Sequence, residues 1–425
     1  MLAKLRHINR NVNPYGAIIF CMDEIRNLGI ADIIDSHLGR RVKQAKYSYS
    51  DTLLAWVYST LCNSERLEDT KQLQKYFKEI PSTKLPSPDI IAGLFKKLAT
   101  PSVKYTAKLA DHEFNINLPM NNLMVDIALK LNMIDFSKSH VLDYDNVIIP
   151  CEKYDSRYSY KKFDGYSPGV AFIGKCPVYI EGRNGNTPAK YKMAETLQRV
   201  FDLTNSKGIK IKTFRSDAAA YSTDIVKVLE ENDVEFFIRA NHNGKMFEDA
   251  IALNDWEEIE LGYQKCQVTS VDHRYNNQMY RVVITKTPKD NDYKNKYTDD
   301  SFIYRGIITN NVSMSDQEVI HFYNQRGSIE TNFTQLLNDW SWKRLPFSFM
   351  NQNIVFMIVG AIGNLLYQHL IRKFSKKVSF VKPSHRLKNF IFHFITVALE
   401  WVIEDNERIP ILYSPDRDYS VLLET

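Results

Sequence analysis

Cysteine is scarce in this sequence, and no two cysteines have the spacing of a zinc site. The 425 residues include only five cysteines, all far apart: Cys21, Cys62, Cys151, Cys176 and Cys266. An odd number without a CxxC pair argues against both a disulfide framework and a structural zinc site. The first sixteen residues also lack the apolar run of a secretory signal. We therefore expect a protein of the reducing cytoplasm.

A strong excess of charge of either sign is absent as well. Lys and Arg number 55 against 50 Asp and Glu, and the net charge of +5 permits nucleic-acid binding without demonstrating it. Hydrophobic residues make up 44% of the chain, which is ordinary for a globular protein, and the length allows two or three domains. The function therefore has to be sought in motifs rather than in overall charge.

Residues 353–371 form an apolar run that is long enough to suggest a membrane span. Asn353, Asn364, Gln368 and His369 interrupt this run, and the sequence offers it no partner span. Transmembrane helices are predominantly apolar over their whole length. We therefore expect a helix buried in a core or in a dimer interface and no membrane insertion, with a transmembrane span as the alternative.

Residues 1–136 have the pattern of several short helices. One of them has Ser87 as its N-cap and Pro88 at its first position, and it ends in Lys96 and Lys97. A capped helix that follows other short helices is typical of a helix-turn-helix, so we predict a DNA-binding region here. A helical bundle that binds no DNA is the alternative.

The pattern changes to strands after this region. Residues 137–239 have the order β-β-β-α-β-α-β, with a hairpin after the first strand and the first helix over 188–205. This order predicts an α/β fold with an RNase H-like catalytic core. The regions predicted after it are a β-rich inserted subdomain (240–300), the second part of the core (301–345) and a helical C-terminal region (346–425).

Acidic residues occur in two of the predicted core strands. Asp145 lies in the apolar strand VLDYDNVII, and Asp143, two residues earlier, shares its face. Asp217 ends the strand IKIKTFRSD, and open α/β sheets carry their sites at such carboxyl ends. A buried carboxylate costs several kcal/mol unless it is paired or binds a metal ion. The alternative for each acid is an ordinary edge or turn residue.

The stretch HFYNQRGSIETNFTQLLNDW adds a third acid. Its Tyr323, Arg326 and Glu330 are spaced i, i+3 and i+7, which predicts that they share one face of a helix. A solvated face with an Arg–Glu pair is the alternative. Two strand acids and one helix acid would hold two Mg²⁺ ions about 3.5–4 Å apart, because Mg²⁺ prefers oxygen ligands. Asp145, Asp217 and Glu330 are therefore the candidate catalytic and metal-binding residues.

These features resemble the DDE transposases of bacterial insertion sequences. The similarity is greatest to the branch with a β insertion before the Glu and a signature of Tyr, two residues, Arg, three residues, Glu, six residues, Lys. Tyr323, Arg326 and Glu330 match the first three positions, and Leu337 stands at the position of the Lys. The stretches YNQRGSIE, RSDAAAY and WKRLPFSFMNQN are also similar to this family, and the resemblance covers nearly the whole chain.

The resemblance implies a transposase that binds terminal inverted repeats, cleaves the transposon ends and joins them to target DNA by two-metal phosphodiester transfer. Asp145, Asp217 and Glu330 would bind two Mg²⁺ or Mn²⁺ ions. Tyr323 and Arg326 would bind phosphates near the cleaved end, because a guanidinium group forks well onto phosphate oxygens.

The resemblance also implies a synaptic homodimer on DNA, in a bacterial cytoplasm and associated with the nucleoid. Asp145 fits the first acid of the family better than Asp143, although that choice stays open. One alternative is an RNase H-like nuclease without strand transfer. The other is a DNA-binding relative whose catalysis has decayed, because Leu337 replaces the signature Lys.

Two further stretches have the composition of DNA-contacting segments. Lys343 follows the predicted helix directly, so we expect it to replace the charge that is missing at Leu337. Trp340 and Trp342 beside it would stack on an unpaired base or belong to the core. The segment KYDSRYSYKKFDGY interleaves Tyr with Lys and Arg, and it would follow single-stranded or distorted DNA or be a solvated turn.

Overall fold

The computed structural model describes residues 10–423, except residues 40, 108–109, 242–243, 254, 263, 276 and 290–301. The chain divides into two compact units, each with helices and strands. The first unit contains Met1–Met133, Ile149–Tyr166 and Thr334–Thr425, and the second contains Ile134–Ile148 and Ser167–Phe333.

Helices and strands alternate along most of the described chain. The helices are α1 (Ile18–Asn27), α2 (Ile30–Leu38), α3 (Tyr49–Leu61), α4 (Thr70–Phe77), α5 (Pro88–Leu98), α6 (Leu118–Lys130), α7 (Met193–Ser206), α8 (Thr223–Glu231), α9 (Gly244–Leu253), α10 (Asp316–Asn324), α11 (Ser328–Asp339), α12 (Met350–Lys377) and α13 (Leu387–Phe390). The strands are β1 (Val103–Thr106), β2 (Asp111–Asn115), β3 (Ser139–Asn146), β4 (Ile149–Pro150), β5 (Arg157–Tyr158), β6 (Asp164–Tyr166), β7 (Gly169–Ile173), β8 (Cys176–Arg183), β9 (Lys210–Ser216), β10 (Glu235–Arg239), β11 (Glu257–Leu261), β12 (Gln264–Tyr275), β13 (Gln278–Pro288), β14 (Phe302–Thr309), β15 (Ala398–Glu404) and β16 (Glu407–Tyr413).

The second unit is built on one mixed sheet. Its strands follow the order β8-β7-β3-β9-β10-β14-β13-β12-β11. β7 and β8 form the predicted hairpin, β7 also pairs with β3 in antiparallel orientation, and β3, β9 and β10 are parallel neighbours. The predicted element order is present as β3, β7, β8, α7, β9, α8 and β10. This arrangement brings the carboxyl ends of β3 and β9 to the same edge of the sheet.

The stretch 240–300 extends this sheet. It contains α9, β11, β12 and β13, while residues 290–301 lie outside the described part of the chain. β13 pairs with β14 in antiparallel orientation, so the β-rich stretch continues the sheet of the second unit. Ile259 and Val283 of these strands pack with Val319 of α10 in one apolar cluster. Burial of this face against α10 is the physical reason for the continuation.

The helix predicted over residues 188–205 begins later, at Met193. The cause is Arg183, whose side chain is fully buried. Its Nη1 donates to the carbonyl groups of Ala189 at 3.0 Å and Tyr191 at 3.1 Å. A buried guanidinium group needs such acceptors, and the segment that supplies them is held as a loop instead of the first helical turn.

The long apolar run forms α12, which lies in the core of the first unit against α1, α3, α5 and α6. By length and composition this helix could cross a membrane, but most of it is buried within the protein. The amide of Asn353 donates to the carbonyl of Phe347 at 3.0 Å, and the amide oxygen of Asn364 accepts from Trp340 Nε1 at 3.1 Å. Two polar residues that interrupt the run are thus paired inside the protein, as expected for a core helix.

Trp340 and Trp342 are fully buried in this unit. Trp342 Nε1 donates to the carbonyl of Met357 at 3.1 Å. A Cβ atom at Gly363 would lie 2.2 Å from the Trp340 ring, so only glycine lets α12 approach the indole this closely. The prediction that either tryptophan stacks on a DNA base is therefore wrong, and the alternative, that they belong to the core, holds for both.

The N-terminal and C-terminal regions are not helical throughout. β1 and β2 form a hairpin in the N-terminal region, and β15 and β16 form another after α13. The predictions of helical regions over 1–136 and 346–425 therefore miss one hairpin each. The backbone N–H and carbonyl of Asn13 form hydrogen bonds with the backbone of Leu399 in β15. This strand therefore has a neighbour on the edge that does not pair with β16.

Candidate active site

The two strand acids lie at the same edge of the sheet. Asp145 is near the end of β3, and Asp217 directly follows β9. In the parallel pairing of these strands Asp143 lies opposite Arg215, so Asp145 and Asp217, each two residues further on, are at the same level. Open α/β sheets carry their sites at such carboxyl ends. The backbone register thus brings two of the predicted site residues together.

Asp145 is half-buried and ion-paired. Its Oδ2 lies 2.7 Å from Nη2 of Arg326, and its Oδ1 accepts the N–H of Asn146 at 2.8 Å. Burial raises the pKa of Asp145, the charge of Arg326 lowers it, and the charge of Asp217 raises it again, with a raised pKa as the net result. A carboxylate whose charge is opposed in this way is stabilised by any cation that reaches it.

Asp217 has a local role in the turn after β9. Its Oδ1 accepts the N–H of Ala219 at 3.0 Å and caps the 3-10 turn Ala218–Ala220. Within the described part of the chain this hydrogen bond involves only Oδ1, and the Asp217 side chain is half-buried. The turn therefore fixes the orientation of the carboxylate at the end of the strand.

Asp143 has a different environment from Asp145, although both side chains lie on the same face of β3. Its two oxygens accept from Nε and Nη2 of Arg215, both at 2.8 Å, and both side chains are almost completely buried. Nη1 of Arg215 donates to the carbonyl of Phe322 in α10 at 2.7 Å. This network joins β3, β9 and α10, so the structure favours a structural role for Asp143.

Tyr323, Arg326 and Glu330 do not lie on one continuous α-helix. A 3-10 turn over Gln325–Gly327 separates α10 from α11. Gly327 favours a break at this point, because glycine costs about 1 kcal/mol relative to alanine inside an α-helix. The prediction of one helix is therefore wrong, and the exposure differs: Tyr323 is buried, Arg326 half-buried and Glu330 exposed.

The Tyr323 side chain connects α10 to the end of β9. Its hydroxyl group donates to the carbonyl of Ser216, the residue before Asp217, at 3.3 Å. Burial raises the pKa of Tyr323, the charges of Arg326 and Arg239 lower it, and the charge of Asp217 raises it, with a raised pKa as the net result. Tyr323 is therefore a neutral phenol that supports the backbone beside Asp217.

Two more arginines, which were not predicted as site residues, add positive charge here: Arg239 interacts with Tyr323, and Arg305 interacts with Arg239. Arg239 ends β10, and Arg305 lies in β14, which pairs with β10. Burial lowers the pKa of Arg239, Tyr323 raises it, and the charges of Arg305 and Arg326 lower it further. The three arginines therefore form a positive cluster. The signal in the sequence is that Arg239 ends the apolar strand VEFFIR, just as Asp217 follows its own strand.

The acids offer donor atoms that suit a divalent metal ion, but only two of them are brought together. Carboxylate oxygens suit Mg²⁺ and Mn²⁺, and such an ion would relieve the repulsion between Asp145 and Asp217. Among the residues that the structure describes, no three His, Cys, Asp or Glu side chains form a group that could hold a metal ion. Glu330 is exposed in the first turn of α11. It stays a predicted third ligand, because the structure does not group it with Asp145 and Asp217.

Lys343 lies next to the position at which the signature lysine is missing. Its backbone N–H donates to the carbonyl of Leu337 at 3.4 Å, just after the end of α11. The Lys343 side chain is exposed, whereas Leu337 is half-buried. The backbone of Lys343 therefore lies beside position 337, in the first unit of the protein.

Comparison with known proteins identifies the family of the chain. The family model described as "Transposase DDE domain group 1" matches residues 18–414. No curated protein was found to match the chain. Among solved structures, the chain is similar to a piggyBac transposase in a synaptic complex with hairpin DNA, with 12% sequence identity and a TM-score of 0.39. That match covers 90% of this chain and 80% of the other. Because the family model spans most of its length, the chain belongs to the transposase family with a DDE domain of group 1.

Proposed function

We propose that this transposase binds the terminal inverted repeats of its element, cleaves the transposon ends and joins them to target DNA by phosphodiester transfer. The observation that carries the proposal is the register of β3 and β9, which sets Asp145 and Asp217 side by side with Arg326 on Asp145. The strand order β8-β7-β3-β9-β10, with an antiparallel meander followed by parallel strands, supports an RNase H-like core.

In this proposal Asp145, Asp217 and Glu330 hold two Mg²⁺ or Mn²⁺ ions. When bound, such ions supply an activated water or 3′-hydroxyl group and stabilise the leaving oxygen. The support for Asp145 and Asp217 is their shared edge and mutual repulsion. The support for Glu330 is its match to the signature, together with its position one short turn after Arg326.

The arginines of the site have the charge to bind and orient the DNA strand. The guanidinium group of Arg326 holds Asp145 and has further N–H donors for a phosphate. Arg239 and Arg305 extend the positive charge along β10 and β14. Tyr323 is largely buried and bonded to the strand that precedes Asp217, which favours a positioning role for it over direct contact with a phosphate.

Lys343 is proposed to replace the charge that is missing at Leu337. Its backbone bond to Leu337 and its exposed side chain support this proposal. A lysine side chain is long enough to reach back by about one helical turn. The replacement would restore a charge-assisted contact of about 1.5–3 kcal/mol to a DNA phosphate.

Recognition of the transposon ends is assigned to residues 1–136. The support is helix α5, which begins at Pro88 with Ser87 at the N-cap position and has Lys96 and Lys97 in its last turn. A synaptic homodimer is proposed because two ends have to be held together for transfer. A bacterial cytoplasm, with association to the nucleoid, is proposed because the sequence resembles the transposases of bacterial insertion sequences.

A single assay separates this proposal from its two alternatives. Purified protein is incubated with Mg²⁺, a target plasmid and labelled DNA that carries the sequences flanking the reading frame. Cleavage at the ends followed by joining to the plasmid is the expected result. Cleavage without joining would indicate a nuclease, and specific binding without cleavage would indicate a decayed catalyst. Absence of both binding and cleavage would overturn the proposal.

A further inference from the structure

The segment that connects β4 to β6 in the first unit presents three tyrosines to solvent. Tyr154 and Tyr160 are each 81% exposed and Tyr158 is 62% exposed. Large aromatic side chains exposed to this extent gain little from packing. The three rings therefore need an explanation other than the stability of the fold.

The backbone that carries these rings is held firmly. The carboxylate of buried Asp155 accepts the N–H of Met350, the first residue of α12, at 2.8 Å, and it also accepts the hydroxyl group of Tyr166. At Gly165 a Cβ atom would lie 2.3 Å from the carbonyl oxygen of Ile149, so glycine is required for the pairing of β4 with β6. The exposed tyrosines are thus presented by an ordered support.

Tyr160 lies in a tight turn between β5 and β6. The N–H of Ser159 donates to the carbonyl of Phe163 at 2.8 Å, and the N–H of Lys162 donates back to the carbonyl of Ser159 at 3.0 Å. Lys162 has a φ of 66°, which closes the turn in the left-handed region. Tyr160 and Lys161, which lie between these two hydrogen-bonded positions, are both exposed. The turn therefore holds Tyr160 and Lys161 at the surface.

Positive charge accompanies the rings. Residues 157–162, RYSYKK, contain three cationic residues and no acid. Nζ of Lys161 lies 6.0 Å from the centre of the Tyr160 ring, at the outer limit of a cation–π contact. Glu152 and Asp164 are the exposed acids that flank this positive segment. The combination of exposed rings with cations matches the surfaces on which unpaired nucleotides stack.

Tyr154 also borders an open depression. Its ring contacts the ring of Phe349 with 5.2 Å between the ring centres, and its N–H donates to the carbonyl of Ser348 at 3.0 Å. The depression has a volume of about 760 Å³ and is lined by Lys153 and by two acids, Glu152 and Asp164. Because the depression is open and charges of both signs line it, it does not favour a phosphate by itself, and the excess of positive charge lies on the neighbouring residues 157–162.

We propose that the segment 152–164 is a binding site for unpaired nucleotides, in which Tyr158 and Tyr160 stack on bases and Lys161 contacts the phosphate chain. The site is separate from the proposed metal ligands. Only the source of the unpaired strand, an opened transposon end, rests on the proposed function. Stacking tolerates every base, so the site would bind single strands without sequence preference.

The test uses the full-length protein and a labelled oligo(dT) of roughly twelve nucleotides, within the usual range of site sizes. Binding is followed by fluorescence anisotropy over a series of salt concentrations. The double variant Tyr158→Ala/Tyr160→Ala should bind at least about tenfold more weakly, whereas Tyr158→Phe/Tyr160→Phe should retain binding because it keeps both rings. Lys161→Ala should lower the slope of log K against log salt by about 0.7.

Tyr413→Ala is the matched control, because Tyr413 is a half-exposed tyrosine of another hairpin and should not matter. Asp217→Ala should bind oligo(dT) like the wild type. The inference fails if the wild type does not bind oligo(dT), if the Ala and Phe double variants bind equally, or if Tyr413→Ala weakens binding as much. End cleavage, measured in parallel, tests the proposed function separately, because a protein that cleaves without binding oligo(dT) refutes only this inference.

Discussion

Substitution of Asp143 and Asp145 should have opposite consequences, although the two residues are neighbours on one face of β3. Asp143 is 2% exposed, and both of its oxygens are bonded to the buried guanidinium group of Arg215. Asp143→Asn leaves that guanidinium group buried without a counter-charge. Removing one partner of a buried ion pair typically lowers the free energy of unfolding by about 3–5 kcal/mol. We expect a loss of this size.

Asp145→Asn should leave stability within about 1 kcal/mol of the wild type, because its ion pair with Arg326 is partly exposed to solvent. Its effect should appear in cleavage instead. Below the temperature at which either variant unfolds, Asp145→Asn should abolish Mg²⁺-dependent end cleavage, whereas Asp143→Asn should retain much of it. The contrast follows from the contacts of the two carboxylates, because only Asp145 faces Asp217 and Arg326.

Urea unfolding and end cleavage are measured on the same preparations of the two variants. Arg215→Met is the matched control for Asp143→Asn, because it breaks the same ion pair from the other side and should be about as destabilising. The double variant Asp143→Leu/Arg215→Met should lose less free energy of unfolding than Asp143→Asn and Arg215→Met lose together, since it leaves neither charge unpaired. Stable, inactive Asp143→Asn together with unstable, active Asp145→Asn would refute the assignment.

Four further predictions concern the site, the DNA and the stability of the first unit. Asp217→Ala and Glu330→Gln should each abolish end cleavage while end binding survives, and near wild-type cleavage by either variant would remove that residue from the proposed ligands. End binding should weaken steeply with salt, so a flat plot of log K against log salt would contradict DNA binding through phosphates. Lys343→Ala should weaken binding of the cleaved end and lower the slope of log K against log salt by about one unit, and Leu337→Lys should partly restore both. An unchanged slope in Lys343→Ala would show that Lys343 does not replace the signature lysine. Burial raises the pKa of Glu24, but its contacts with Lys373 and His369 lower the pKa by more, so that the net result is a lowered pKa. The stabilisation that Glu24 contributes at neutral pH should therefore be lost as the pH falls below about 4.5. Glu24→Gln should flatten that part of the curve of unfolding free energy against pH.

The sequence was sufficient to predict the elements that carry the strand acids. Residues 209–212 alternate apolar and polar side chains, and the apolar strands around Asp145 and in β10 have the composition of a buried sheet. Such periodicity is local, so it can be detected without knowing which strands are neighbours. Asp217 is predictable for the same reason, because it is the first polar residue after a strand that is already recognisable.

Features that depend on partners distant in the chain could not be predicted in this way. The loop before α7 exists because the buried guanidinium group of Arg183 takes the carbonyls of Ala189 and Tyr191. The pairing of Asp143 with Arg215 spans 72 residues, and the position of Arg239 beside Tyr323 depends on the order of strands in the sheet. None of these contacts leaves a periodic signal, so only the folded structure reveals them.

The long interval between Asp217 and Glu330 follows from the way in which the β-rich stretch is accommodated. β14 pairs with β10 on one side and with β13 on the other, so the extra strands lengthen the sheet at its far end. The chain then returns through α10, where the hydroxyl group of Tyr323 bonds to Ser216 and Arg326 pairs with Asp145. These two contacts connect α10 and the turn after it to the ends of β9 and β3, so the chain returns to the strand acids after the long stretch 240–300. The register of β3 and β9 thus brings Asp145 and Asp217 together, and the contacts of Tyr323 and Arg326 hold the end of α10 against them, however many residues lie between the acids in this sequence.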